Sequence, residues 1–406
     1  MSGAAADRAE LDLYDPDAYV EAPPYARFAE LRRRDPVCWQ PLPDGGGAWW
    51  LLKHADVKAA SADPATFSAA RGGIVIEELP EESLRMVRSQ LLAMDPPEHG
   101  VMRRKVLAGF TPGMVGRMEP WLRARAGAIL DAAAARERCD LVTDLASALP
   151  LQVICEILGV PEADRPRVVE LGDRIIGRDD RDLSDSAEQA SQASVELGTY
   201  GYELAMARRG SGGGDLVSVL LDARAVGDRV DPVEFAGLFV QIIVAGNETT
   251  RTLLSGGVLA LMERSEAWRR LADEPGRIPV AVEELLRWVT PVHYFRRTAT
   301  RDVTLRGRRI REGDRVVLSY TSANRDEEVF DEPERFDPGR DPNPHLAFGW
   351  GEHFCLGAKL ARLEARVFLE ELFRRVEALV PDGPPRRMRS NLNNAWKSIP
   401  VRVVPR

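Results

Sequence analysis

One segment near the C-terminal end combines residue types that could hold a metal ion. It reads Phe348-Gly349-Trp350-Gly351-Glu352-His353-Phe354-Cys355-Leu356-Gly357. Its glycines permit a tight turn with close backbone approach, and Cys355 lies where a following helix is predicted to begin. Free N–H groups and the positive end of a helix dipole favour a thiolate at such a position. The segment therefore predicts a metal-ligating sulfur, whereas the isolated Cys38, Cys139 and Cys155 are better interpreted as small hydrophobes.

A long apolar helix contains the second candidate. Its predicted start is Asp231-Pro232-Val233-Glu234, with an acidic cap and a proline at the first helical position, and it can run to about Arg264. The middle, residues 238–246, is apolar nearly all round, as expected for a helix in a protein interior. Glu248 and Thr249 follow at once, although a buried carboxylate is costly unless satisfied. The pattern indicates either a cavity or a local bend in which threonine hydroxyls bond back to carbonyls, and the segment alone leaves both open.

Composition limits the class of protein that can carry these candidates. The chain has 406 residues, 44% hydrophobic and 29% charged, which is ordinary for a globular enzyme with a sizeable core. The net charge of −8 argues against general nucleic-acid binding. The sequence begins without a signal-peptide pattern and contains no apolar run of about 18 residues, so we expect a cytoplasmic protein with no membrane span and with reduced thiols.

Periodicity predicts a mainly α protein with a minor β contribution. Residues 96–221 are helical nearly throughout, and a further helix is predicted for Leu356–Val380. Trp49–Lys53 and the stretch Phe295–Leu318 read as short strands with glycine turns. The glycine cluster Gly210–Asp215 follows a helix and not a strand, so it is interpreted as an inter-helix loop and not as a nucleotide-binding loop.

The candidate segments resemble the motifs of one family, the cytochrome P450 haem-thiolate monooxygenases. Residues 348–357 match that family's haem loop, Phe-Gly-x-Gly-x-His-x-Cys-x-Gly, at every specified position. Ala245–Thr250 is similar to its oxygen-binding groove, Glu284–Arg287 to its Glu-x-x-Arg helix, and Pro333–Arg340 to its Pro-x-x-Phe-x-Pro-x-Arg loop. The resemblance extends from about Asp15 to the C-terminus.

The resemblance implies a fold as well as a chemistry. It implies one P450 domain over residues 1–406, a helix-rich triangular prism with a long central helix and small sheets. A β-rich subregion is expected at about 1–60 and 294–320, and helical subregions at about 81–290 and 356–380.

The same resemblance implies haem b as the cofactor and assigns residues to it. Cys355 would be the thiolate ligand of the iron, with Phe348 and Gly357 near the sulfur and with Ala245 and Gly246 on the opposite side. The cationic partners of the haem propionates would be His99, Arg103, Arg297 and His353. Glu248 and Thr249 would be an acid–alcohol pair that delivers protons during dioxygen activation. A buried charged network of structural role would consist of Glu284, Arg287 and Arg340.

Substrate recognition is less closely indicated. The loop Phe67–Pro80 is expected to be mobile and to carry an apolar tip over the cavity. The proposed pocket residues are Ile74, Val75, Ile76, Val244, Val292, His293 and Tyr294. The resemblance implies hydroxylation or epoxidation of a sterol, terpenoid or branched lipid. Tailoring of a polyketide or terpenoid natural product is equally open. A peroxide-driven enzyme and a non-catalytic haem carrier are further alternatives, which the intact acid–alcohol pair and the lack of an output region disfavour.

The expected partners follow from what the chain lacks. It has no flavin or nicotinamide fingerprint, so the resemblance implies a ferredoxin and its reductase as electron donors to a monomeric enzyme. Arg104, Lys105, Lys359 and Arg362 form a predicted basic patch for an acidic carrier. Glu352 within the cysteine segment works against that patch.

Overall fold

Helices dominate the structure, a computed structural model that describes residues 12–107, 110–208, 216–218 and 232–406. The helices are α1 (Tyr25–Arg34), α2 (His54–Ser61), α3 (Glu81–Arg88), α4 (Glu98–Leu107), α5 (Pro112–Arg117), α6 (Glu119–Arg136), α7 (Ala148–Leu158), α8 (Arg165–Ile176), α9 (Ala187–Arg208), α10 (Pro232–Met262), α11 (Ser265–Asp273), α12 (Ile278–Val289), α13 (Tyr320–Ala323) and α14 (Ala358–Arg375). The predicted cap Asp231 and the glycine cluster 210–215 lie outside the described residues.

The strands form small sheets. They are β1 (Val37–Pro41), β2 (Gly47–Leu51), β3 (Phe67–Ser68), β4 (Arg138–Asp140), β5 (Tyr294–Ala299), β6 (Val303–Leu305), β7 (Arg308–Ile310), β8 (Arg315–Ser319), β9 (Val376–Pro381), β10 (Arg386–Arg387), β11 (Trp396–Ser398) and β12 (Pro400–Pro405). One five-stranded sheet has the order β1-β2-β8-β5-β3, with β2 and β8 parallel. It joins the predicted N-terminal and 294–320 strands, although α1 and α2 also lie within the first 61 residues.

The predicted helix Leu356–Val380 is wrong at its C-terminal end. The helix α14 ends at Arg375, and the chain continues as β9, which pairs antiparallel with β12. Residues 376–381 are rich in β-branched and leucine side chains, which fit a pleated surface as well as a helix. Their partner strand lies more than twenty residues later, so no local pattern marks the change.

The long central helix is confirmed. α10 begins at Pro232 and has 31 residues, so it is about 46 Å long. It packs against α7, α9, α12 and α14, and its residues are buried on all faces along much of its length. A proline at the first helical position costs nothing there, because its missing N–H would have had no partner inside the helix.

One helical stretch among the described residues, Leu141–Leu158, is long and apolar enough to cross a membrane. More than half of it is buried inside the protein. Leu145, Leu149 and Val153 belong to the main hydrophobic core, together with α10. The stretch is therefore accounted for by core packing.

Candidate functional site

A cleft with about 1350 Å³ of empty space, counting its mouth, lies between α10 and the segment 348–357. Its wall is mainly leucine, isoleucine, valine, phenylalanine and alanine. The predicted residues that line it are His99, Arg103, Ala245, Gly246, Thr249, Val292, Phe348, His353, Cys355 and Gly357. Residues from distant parts of the sequence, on α4, α10 and the turn before α14, therefore meet around one space.

Cys355 is held by the turn that precedes α14. Its backbone N–H donates to the Phe348 carbonyl at 2.9 Å. Gly351 adopts φ +71°, and a Cβ atom there would lie 2.6 Å from the Ser61 carbonyl oxygen, so only glycine fits. Burial raises the pKa of the Cys355 thiol, whereas the Gly357 N–H and the Arg103 guanidinium act in the opposite direction.

Two histidines face the same space with unpaired nitrogens. The imidazole rings of His99 and His353 lie 4.3 Å apart, and the Nε2 atom of each is buried without a hydrogen-bond partner among the described residues. Burial lowers the pKa of both rings, that of His353 to about 2, and the charge of Arg297 adds to each shift. Arg103 is adjacent and donates from Nη2 to the Phe354 carbonyl at 2.6 Å. These groups form a buried region that is prepared for negative charge.

Arg297 is less directly placed than predicted. It is 3% exposed and is not among the residues that line the cleft. Its Nη1 atom donates to the Arg296 carbonyl at 2.8 Å. It acts on the cleft through its charge, which is close enough to lower the pKa of His99 and of His353.

Both interpretations of the interrupted central helix hold at once. Thr249 lines the cleft, and its Oγ1 atom also donates to the Ala245 carbonyl at 2.7 Å, as in a threonine back-bond. A Cβ atom at Gly246 would lie 2.7 Å from Cδ1 of Ile154 on α7. The glycine therefore permits close helix packing in addition to facing the cleft.

Glu248 lies outside the cleft. It is 3% exposed and contacts the Arg251 guanidinium and the Thr252 hydroxyl. Arg251 in turn donates from Nη1 to Oδ1 of Asp173 on α8 at 2.8 Å. Burial raises the pKa of Glu248, and the charge of Arg251 opposes that shift. The sequence analysis did not predict these contacts of Glu248 and Arg251. A glutamate followed three positions later by an arginine is nevertheless a pair that helix geometry brings to one face.

Most of the predicted substrate residues do not line the cleft. Ile76 and Tyr294 are buried with Trp50 against the five-stranded sheet. The Arg296 side chain donates to the Ile76 and Glu77 carbonyls at 3.2 and 3.1 Å, which fixes the predicted mobile loop to β5.

The remaining predicted pocket positions, apart from Val292, make their contacts outside the cleft. Ile74 accepts from the Arg296 N–H through its carbonyl, and Val75 is held by the same arginine. His293 is buried, with Nδ1 2.7 Å from the Thr321 hydroxyl. Val244 packs on the core next to Ile176. Val292 is the only member of the predicted set that reaches the cleft.

The predicted charged network is assembled below the cysteine turn. Arg287 donates from Nε and Nη2 to the two carboxylate oxygens of Glu284 at 2.8 and 2.7 Å, and both side chains are fully buried. Arg340 lies 3.3 Å from the same carboxylate. Arg287 also donates to the carbonyls of Asn324 and Pro333. The network therefore ties α12 to the loops that lead to Phe348.

Glu364 is a cleft residue that the sequence did not single out. It lies on α14, is 2% exposed, and its Oε2 atom receives no hydrogen bond from the part of the chain that the structure describes. Burial raises its pKa to about 8. Its position in an otherwise amphipathic helix gave no signal, because burial at this point depends on tertiary packing.

Glu364→Gln is expected to flatten the pH dependence of stability. The folded protein keeps this proton up to about pH 8, whereas the ordinary carboxyl value is 4.5, so its contribution to the free energy of unfolding falls as pH rises between these values. A neutral amide cannot release that proton. Thermal unfolding midpoints across this pH window are the measurement, and an unchanged slope in the variant would contradict the assignment.

Comparison with known proteins agrees with this geometry. The family model for cytochrome P450 matches residues 206–402. A methyl-branched lipid omega-hydroxylase of Mycobacterium tuberculosis is 41% identical over 92% of this chain and 90% of that protein. A steroid C26-monooxygenase of Rhodococcus jostii is 40% identical over 96% of this chain and 84% of that protein. The chain belongs to the cytochrome P450 family.

A solved structure supports the same fold for this P450. A cytochrome P450 of Mycobacterium marinum in complex with pseudoionone is 37% identical, with a TM-score of 0.88 over 93% of this chain and 94% of that chain. The α+β prism with a long central helix is thereby confirmed. The protein is a haem-thiolate monooxygenase.

The residues of the cleft fit haem b, the cofactor of this P450. Among the described residues, no three histidine, cysteine, aspartate or glutamate side chains cluster, so a metal at Cys355 must take further ligands from a non-protein group. The unpaired Nε2 atoms of His99 and His353 suit the carboxylates of such a group. A porphyrin with two propionates meets both requirements.

Proposed function

We propose that this P450 hydroxylates an apolar, branched molecule of terpenoid, sterol or lipid type. The observation that carries the proposal is the cleft itself, which joins Cys355 to Thr249 within a mainly apolar wall. Such a wall binds ligands by removing apolar surface from water. The names of the lipid omega-hydroxylase, the steroid C26-monooxygenase and the pseudoionone complex support the same substrate class.

In this proposal Cys355 and the residues around it hold the cofactor and adjust the properties of its iron. Haem supplies an iron centre that activates dioxygen with electrons from outside the chain. Cys355 would be the iron ligand, and the Gly357 N–H, which donates to its sulfur, would moderate the thiolate charge. His99, Arg103 and His353 would bind the propionates. The Arg362 guanidinium lies 4.5 Å from the Phe348 ring centre, and its charge acts to lower the pKa of the Cys355 thiol.

Glu248 and Thr249 move protons in this proposal. The Thr249 hydroxyl donates to Ala245 and keeps lone pairs free to accept a hydrogen bond within the cleft. Glu248 lies outside the wall, in contact with the Arg251 guanidinium, and must leave Arg251 to reach the threonine. Asp173 forms an ion pair with Arg251. This pair determines how readily Arg251 releases Glu248, and therefore how readily the Glu248 carboxyl turns towards the cleft. Glu248 and Thr249 thus act in sequence as acid and relay.

Thr249→Ala is expected to uncouple electron use from product formation. Among the described residues the hydroxyl bonds only to the Ala245 carbonyl of its own helix, so folding, haem content and substrate binding should change little. Ordered proton delivery is lost, which lowers product formation by up to about 10²–10⁴-fold. The measurement is product formed per nicotinamide oxidised, with hydrogen peroxide quantified in parallel.

Thr250→Ala provides the matched control for that measurement. Thr250 also lines the cleft and is 3% exposed. Its replacement should keep coupling close to that of the wild type. Wild-type coupling in Thr249→Ala, or equal uncoupling in both variants, would contradict the relay.

The electron donor proposed here is a ferredoxin with its reductase, acting on a monomeric, cytoplasmic enzyme. Arg104 and Lys359 are exposed, as are the apolar side chains of Leu107 and Phe354. Arg362, predicted as part of the same patch, is instead paired with Glu283 through two bonds of 2.7 Å. The docking surface is therefore smaller than the sequence suggested.

A ligand screen tests the proposed function. Terpenoid alcohols, sterols and methyl-branched fatty acids are titrated into the haem-loaded enzyme, and the low- to high-spin shift of the Soret band reports binding. Hits are incubated with ferredoxin, reductase and reduced nicotinamide. Hydroxylated product from at least one class supports the proposal, and binding without oxidation of any of them contradicts it.

A further inference from the structure

Gln241 is a polar exception in the apolar part of the cleft. It lies on α10 and faces the same space as Leu238, Ile242 and Ala245. Its side-chain oxygen Oε1 is buried, and none of the described residues donates a hydrogen bond to it. Buried amide groups in proteins are nearly always hydrogen-bonded. The unmade bond at Gln241 is therefore available to a ligand inside the cleft.

The position of Gln241 on α10 sets the distance between its side chain and the end of the cleft where the substrate would be oxidised. Ala245 and Thr249, which belong to the reactive end of the cleft in the proposed function, follow it by four and eight residues on the same helix. At 1.5 Å per residue these intervals correspond to about 6 and 12 Å along the axis. A fully extended chain advances about 1.2 Å per single bond, so the interval equals about five to ten bonds of a substrate.

We propose that Gln241 is a specificity-determining residue that hydrogen-bonds one oxygen of the substrate about five to ten bonds from the carbon that is oxidised. The inference rests on the proposed function and narrows its substrate class. A hydroxyl donates to Oε1, and a ketone accepts from the amide nitrogen after the amide turns over. The class selected is a terpenoid-sized or medium-chain branched alcohol or ketone. A sterol oxidised at its side-chain end carries its ring oxygen too far away to use Gln241.

A ladder of ligands tests this inference. Methyl-branched primary alcohols of increasing chain length are compared with the parent alkanes in the haem-loaded enzyme, by calorimetry and by the Soret shift. For the wild type, the ratio of dissociation constants, alkane over alcohol, should peak at about tenfold where the hydroxyl lies about five to ten bonds from the branched end.

Two variants make the result specific. Gln241→Leu keeps the volume and removes the amide, so its ratio should stay near one at every length, with alkane binding unchanged or tighter. Leu238→Met is a volume-conserving change one turn earlier on the same wall and should keep the wild-type peak. A peak that survives in Gln241→Leu, a flat wild-type profile, or wild-type enzyme that binds no alcohol overturns the inference.

The inference and the proposed function fail in different ways. An enzyme that oxidises the alkanes and alcohols equally well, with a flat binding ratio, keeps its function and loses the role of Gln241. An enzyme that shows the peak but oxidises none of the ligands keeps the binding contact and loses the proposed reaction.

Discussion

Glu284→Ala is expected to yield little folded, haem-loaded protein. Glu284 and Arg287 are both fully buried, and removal of the carboxylate leaves the guanidinium without its charge partner. Breaking a buried pair in this way costs about 3–5 kcal/mol, a large part of a typical unfolding free energy of about 5–15 kcal/mol. The Asp337 N–H and the Asn343 amide also lose their acceptor. Soluble yield, haem per protein and the thermal unfolding midpoint are the measurements.

Arg335→Ala is the matched control in the same region. Arg335 pairs with Glu332, and both side chains are more than half exposed. Such a pair contributes about 0–1 kcal/mol, so this variant should keep its haem and nearly all its stability. Stable, haem-loaded Glu284→Ala would show that the network is dispensable.

Cys355→Ala is expected to abolish monooxygenase activity. The other cysteines, Cys38, Cys139 and Cys155, do not line the cleft, so none can replace the missing sulfur. Any haem that remains would rest on the propionate contacts and on apolar burial. Product formation with ferredoxin, reductase and a confirmed ligand is the measurement. Cys155→Ala, a fully buried position in the main core, should retain activity. Equal activity in both variants would contradict the assignment.

The parts of the site that could be predicted from sequence are those with short-range patterns. The turn around Cys355 needs glycine at fixed spacing. The helix α10 can be predicted from its proline start and its continuous apolar middle. Glu284 and Arg287 are three residues apart on one helix, so their pairing follows from helix geometry. Thr249 lies on the same helix and lines the cleft.

The parts that could not be predicted depend on contacts between distant residues. The segment 74–77 is held by Arg296, more than two hundred positions later, so the loop that was predicted to be mobile is fixed to the sheet. Asp173 meets Arg251 only because α8 packs next to α10. In the sequence, Glu364 and Gln241 are ordinary polar residues of helices. Only the folded structure shows that they lie in the wall of the cleft. Burial of a polar side chain is a tertiary property, which local periodicity does not contain.

The carbon-monoxide difference spectrum of the reduced protein tests the central claim, that Cys355 holds a haem iron in this cleft. The expected result is the strongly red-shifted carbonyl band of a thiolate-ligated haem in the wild type and in Cys155→Ala, and its loss in Cys355→Ala. A wild-type spectrum typical of histidine-ligated haem, or the thiolate band in Cys355→Ala, would contradict it.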